Sequence, residues 1–308
     1  MSDPFDVQDV HVAAPDPRET PWRRIWRDYS ASPLAVAVLA VLLAIIGLAV
    51  SAPWISPQNP YDLMQLDIME GLLPPGSVAE TTGYTYYLGT DDQGRDMLSA
   101  ILHGLRISLW VGVVSALCAV AIGATLGLFA AYRGGRTESM IMRLVDLQLS
   151  FPTILVALMI LAFLGKGVGN VILALIIVEW ATYARTARGT ALVEARREYI
   201  EAANCLGVPL HRIIFRHLLP NCMTPLIVIG TVQIARAITL EATLSFLGLG
   251  VPVTEPSLGL LISNGYQYMF SGQYWLSFYP GIALLVTIVA INLVGDRLRD
   301  VFNPKGQV

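Results

Sequence analysis

The chain has 308 residues, of which 55% are hydrophobic and 14% charged, and its mean hydropathy is +0.59. Soluble domains carry about 25% charged residues, so the composition excludes an ordinary water-soluble globule and places the chain in lipid. The net charge of −3 gives no reason to expect a nucleic-acid partner, and three Cys without ligand spacing (Cys118, Cys205, Cys222) indicate neither a disulfide framework nor a zinc site.

Residues 1–33 are polar and proline-punctuated. They lack the early apolar core and small-residue cleavage site of a secretory signal, and read as a soluble tail. A helix crossing about 30 Å of hydrocarbon needs roughly 20 apolar residues. No charge falls between Asp28 and Asp62, and 34–51 reads as the first span. A long polar segment, 52–105, follows. The 26 uncharged residues between Arg106 and Arg133 hold the second span, and Leu147–Gly165 reads as the third. Val168–Ala184, interrupted by Glu179, is the fourth. Leu218–Ala235, running past Arg236 towards Leu244, is the fifth, and Pro280–Gly295 the sixth. Irregular backbone cannot face lipid, so each span is a helix. The predicted fold class is all-α, a polytopic membrane protein with six transmembrane helices. Trp54, Tyr84, Tyr86, Tyr87, Tyr274, Trp275 and Tyr279 stand near span ends, where an interfacial aromatic belt is expected.

Sixteen of the twenty Lys and Arg fall in segments that are cytoplasmic if both termini are inside; the others are Arg95, Arg106, Lys166 and Arg236. Positive residues are retained on the cytoplasmic side, which orients the chain and leaves 297–308 as a cytoplasmic tail. It also makes 198–221, EYIEAANCLGVPLHRIIFRHLLPN, an inner loop between spans four and five. Residues Glu198–Leu206 are good helix formers, and Gly207 supplies a left-handed stop. Pro209 sits where a second helix begins, His211–Leu219 forms that helix, and Pro220 closes it before span five. Ala202 and Ala203 give the first helix a slim face, and Arg212 and Arg216 share a face of the second. A solvated linker would need neither the length nor the punctuation, so a docking element for a cytoplasmic partner is the sharper expectation.

The pattern Glu201-Ala202-Ala203, three residues, Gly207, nine residues, two more, then Leu219-Pro220 resembles the EAA loop of ABC-importer permeases. His217 within RHLLPN is similar to the dipeptide/oligopeptide/nickel branch, as are LGTDDQGRDMLS (88–99), GLRISLWVG (104–112), LSFLGLG (244–250) and NLVGDRLRDVFNPK (292–305). The order of these motifs is the family's, from about residue 30 to the C-terminus. Leu258, Arg297 and Asn303 depart from its usual Trp, Gly and Asp. The resemblance implies a type I ABC-importer permease fold with a five-helix core over 106–296, in a bacterial cytoplasmic membrane. It also implies one of two similar permeases forming a pore, two ATPases inside that use ATP and Mg, and a solute-binding protein outside. This chain would bind no cofactor or metal itself and translocate a solute, di- or oligopeptides in that branch. The residues that would meet the ATPase are Glu198, Tyr199, Glu201, Ala202, Ala203, Leu206, Gly207, Arg212, Leu219 and Pro220.

Other polar positions carry two readings each. Asp91, Asp92, Arg95 and Asp96 in LGTDDQGRD are either a contact for the binding protein or side chains capping the helix into span two. Glu179 and Arg236 fall at similar depth and either pair with each other or line the solute path. Glu241 lies more than about 100° further round its helix, towards the outer membrane surface. Asp146 beside Arg143 reads as a structural pair. Gly123 and Gly127 permit close helix packing, within the chain or against a partner permease. Against a secondary transporter, the four His lie outside the apolar runs and no internal repeat is seen; against ATP hydrolysis by this chain, no G-x-x-x-x-G-K-[ST] stretch occurs.

Overall fold

The computed structural model describes residues 21–302 except 63, 65, 81 and 82. The first 20 residues of the tail, and Asn303–Lys305 of the last motif, lie outside the described residues. The rest of the tail is helical: α1 (Pro21–Ser30) turns into α2 (Pro33–Ile55) at Ser32, whose hydroxyl caps Ala35 N. The long helices that follow are α3 (Met97–Arg133), α6 (Val168–Glu194), α9 (Leu219–Phe246) and α11 (Trp275–Phe302). Shorter ones are α4 (Gly135–Ser150), α5 (Thr153–Leu164), α7 (Glu198–Cys205), α8 (Leu210–Arg212) and α10 (Leu258–Tyr266). The only strands among the described residues, β1 (Ser77–Val78) and β2 (Thr85–Tyr86), form a small antiparallel hairpin.

Among the described residues five helical runs are long and apolar enough to cross a membrane. The third expected span is not one helix. It is α4 and α5, bent by 91° at Phe151–Pro152. Pro152 has no N–H to donate and drives the residue before it to extended backbone, and Phe151 sits at φ −95°, ψ 144°. The fifth span also departs from expectation. Pro220 does not close a separate helix, because a π-turn over Ile213–Leu218 carries α8 straight into α9, with Pro220 in its first turn.

Helices α3 and α6 make the most extensive pairing in the molecule, and α9 packs across both. A Cβ on Gly123 would strike Trp180 O and Tyr183, and one on Gly127 would strike Ala184 O and Ala187. Both glycines therefore serve packing within the chain. Helix α2 lies along α3 and α11, and α10 is wedged against α9 and α11. Arg297 Nη2 donates to Asp28 O, so this departure from the family pattern ties α11 to α1.

Candidate functional site

Helix α7 ends in paired reversed hydrogen bonds. Val208 N donates to Ala203 O at 3.1 Å and Gly207 N to Asn204 O at 3.0 Å. This is a Schellman stop, and it requires the left-handed backbone that Gly207 adopts at φ 67°. Pro209 then sits at the N-cap of α8. The reversal gives the pair two unlike faces. Ile200, Ala203, Ile213, Ile214 and Leu218 are buried in one cluster with Leu128 of α3 and Tyr183, Ala187 and Ala191 of α6. Away from that cluster Glu198, Glu201, Ala202, Gly207, Arg212 and Arg216 are exposed, together with one apolar side chain at the turn, Leu206 (82% exposed). Phe215, in the π-turn, lines an apolar groove between α3 and α9 with Leu117, Leu219 and Met223.

Hydrogen bonds hold this pair to the long helices. Tyr132 Oη of α3 donates to Asn204 Oδ1 at 2.5 Å. Tyr199 Oη donates to Glu194 Oε1 at the end of α6 at 2.6 Å, and accepts from Asn221 Nδ2 at 3.0 Å. The same Asn221 amide donates to His217 O at 2.7 Å. Desolvation, then the bond to Glu194, pushes the Tyr199 phenol up to about 12. Of the ten residues expected on this element, Ala203 is buried, Tyr199 is turned to the clamp, and Leu219 and Pro220 belong to the first turn of α9. Asn221 in the clamp was missed; following Pro220, it carried no signal in the sequence.

In the outer segment most of the expected polar residues are buried. Asp91, Arg95 and Asp96 are 3%, 1% and 0% exposed. Arg95 Nε donates to Asp91 Oδ2 at 2.7 Å and Arg95 Nη1 to Val253 O at 3.2 Å, joining the segment to the α9–α10 connection. Asp96 caps α3, accepting from Ser99 N at 2.8 Å and Ser99 Oγ at 2.6 Å. Burial raises the carboxyls of Asp92 and Asp96 above the usual range. Of these four only Asp92 is part-exposed, and only Asp96 caps the helix into span two. Beside them, buried Glu70 accepts from Tyr86 Oη at 2.6 Å and Glu80 N at 2.8 Å. Tyr86 and Trp275, placed in an aromatic belt by the sequence, are core residues here, whereas Trp54, Tyr87 and Tyr274 are exposed.

Within the spans, Glu179 and Arg236 form no direct ion pair. Arg236 Nη2 donates instead to Thr153 Oγ1 at 3.0 Å, and both Glu179 carboxyl oxygens are buried without a hydrogen-bond partner. Glu241 is fully buried, accepting from Ser108 Oγ at 2.8 Å and Ser245 Oγ at 2.7 Å. Asp146 pairs with Arg185 of α6 at 2.5 Å rather than with its neighbour Arg143, because the side chains meet across packed helices. Among the described residues no cluster of His, Cys, Asp and Glu is arranged to hold a metal.

A polytopic helical bundle that displays an anchored, sharply reversed helix pair beyond its spans is the architecture of a transport permease. The family described as "Binding-protein-dependent transport system inner membrane component" matches residues 123–307, and "N-terminal TM domain of oligopeptide transport permease C" matches 20–75. The Di/tripeptide transport system permease protein DppC of Pseudomonas aeruginosa is 37% identical over 286 residues, 93% of each chain. The Dipeptide transport system permease protein DppC of Escherichia coli is 37% identical over 294 residues, 96% of each. The Glutathione transport system permease protein GsiD of Pectobacterium atrosepticum is 36% identical over 286 residues, 93% of this chain and 92% of that one. A chain of the MetNI methionine ABC transporter, inward facing, superposes with TM-score 0.54 at 21% identity, covering 67% of this chain and 97% of that one, a likeness of fold. The chain belongs to the binding-protein-dependent transport family: it is a multi-pass inner-membrane permease of an ABC importer.

Proposed function

We propose that this permease carries di- or oligopeptides inward, paired with a second, homologous permease and driven by two cytoplasmic ATPases that consume Mg-ATP. A solute-binding protein outside delivers the peptide. Both termini lie in the cytoplasm, in keeping with the distribution of Lys and Arg. The chain itself performs no chemistry and holds no cofactor; its part is to change which side the path opens to.

One observation carries the mechanical reading: the α7–α8 pair buries one face against α3 and α6 and leaves Leu206 bare at its turn. Burying that side chain in an ATPase cleft is worth about 1.5–3 kcal/mol, whereas the surrounding ion pairs of Glu198, Glu201, Arg212 and Arg216 would add about 0–1 kcal/mol each. The leucine therefore grips and the charges orient. Closure of the ATPases pushes the loop, and the clamp through Tyr199 and Asn221 passes the push to α6 and α9. The peptide reading is supported by the named relatives.

The test is uptake of a labelled dipeptide into vesicles containing both permeases and both ATPases, with binding protein added outside. Uptake that requires ATP and the ATPases is expected. Uptake by this chain alone under an imposed proton gradient would replace the reading with a secondary transporter.

A further inference from the structure

We propose that Arg236, beside the break between α4 and α5, binds a carboxylate of the transported solute. The proposal rests on the peptide reading above and adds which group of this chain meets the peptide. Helix α5 begins inside the third span, after a 91° bend, with no side chain capping its first turn. A helix start carries partial positive charge, and discontinuous spans aim such ends at anionic groups of solutes. Thr153, the first residue of α5, accepts a hydrogen bond from Arg236 Nη2 at 3.0 Å. That bond fixes the guanidinium at the helix start and leaves most of its donor fork unused.

Arg236 lies ten residues before the end of α9, well inside the span, yet its side chain is exposed in the single chain. Charged side chains at such depth face a water-filled path or a partner rather than hydrocarbon. Glu179 on α6 does not consume the fork: it is 2% exposed, and neither of its oxygens is engaged in a hydrogen bond. One turn before Arg236, the Gln233 amide is also buried with Nε2 unpartnered. A planar fork, a hydroxyl and an uncapped helix start side by side suit a carboxylate, which a guanidinium receives through two parallel bonds.

The experiment compares ATP-driven uptake of a dipeptide and of its C-terminal amide by the complete complex, in wild type, Arg236→Gln and Arg236→Lys. The same binding protein delivers both solutes, so a change in their uptake ratio belongs to the permease. In Arg236→Gln, uptake of the free peptide is expected to fall about tenfold or more, the loss of one charge-assisted contact. Amide uptake should stay within about twofold, and Arg236→Lys should fall between. Binding-protein-stimulated ATP hydrolysis should continue in both variants. An unchanged ratio sinks this proposal alone, and so does loss of the second permease from purified Arg236→Gln complex, which would assign Arg236 to the interface between permeases. A wild-type complex that takes up no peptide sinks the substrate reading and this proposal together.

Discussion

The guanidinium of Arg95 is enclosed by Asp91 Oδ2 at 2.7 Å and Val253 O at 3.2 Å, and almost no solvent reaches it. Removing one partner of a buried pair leaves the other charge stranded, at a cost of about 3–5 kcal/mol. Arg95→Ala is therefore expected to loosen the outer segment, seen as early chymotrypsin cleavage at the tyrosines of 56–96 and reduced yield of folded permease. A variant with normal protease resistance but weakened binding-protein affinity would support the contact reading. Gly127 makes a second residue-scale case. Its Cα faces Ala184 O and Ala187 Cβ so closely that any side chain must part α3 from α6. Overpacking of this kind costs about 1–3 kcal/mol, so Gly127→Leu should lower thermal stability in detergent, and a partner-interface role would instead lose only the second permease. Residues such as these were legible in type but not in role: the acids and the arginine of TDDQGRD stand out in the sequence, whereas their burial depends on segments more than 150 positions away.

At the scale of the element, the α7–α8 pair depends on one backbone conformation. Pro is locked near φ −65°, and Gly207 sits at 67°, so Gly207→Pro cannot close the reversal. The expected result is a chain that still inserts and assembles while ATP hydrolysis no longer yields uptake; normal uptake per ATP would show that the turn transmits no force. Gly207→Ala should be milder, since the left-handed conformation costs a residue with a Cβ about 1–2 kcal/mol. Tyr199→Phe removes the hydroxyl that joins Glu194 to Asn221, and a several-fold fall in uptake per ATP with unchanged complex yield is expected. The folded Tyr199 phenol titrates at about 12, above its usual value near 10. A raised value means that its stabilising bonds are complete below the unfolded value and are lost as pH rises through the folded one. Coupling should accordingly be constant across pH 6–9, as a ratio of uptake to hydrolysis will show.

For the whole molecule, the decisive geometry is that the reversed pair projects Leu206 away from the bundle while Ile200 and Ala203 return to it. Leu206→Cys, with the exposed neighbour Cys205 replaced by Ser, should crosslink to an ATPase subunit in the assembled transporter. The same crosslinker at Ala203 should react poorly. Crosslinks from Leu206 confined to lipid or to this chain would remove the mechanical account.

Hydropathy alone placed five of the six expected spans on long apolar helices, because the lack of water in lipid forces long apolar runs and satisfied backbone. The helix stop at Gly207 was equally legible, since it is a local matter of φ. Which neighbour each polar group met was settled by helix packing. Asp146 took Arg185 instead of Arg143, Arg236 took Thr153 instead of Glu179, and Asp91 and Arg95 turned inward. Spacing along a chain fixes depth and helical face, but partners are set by how separate helices pack; the bend at Pro152 is local to that proline and was read through as part of an apolar run.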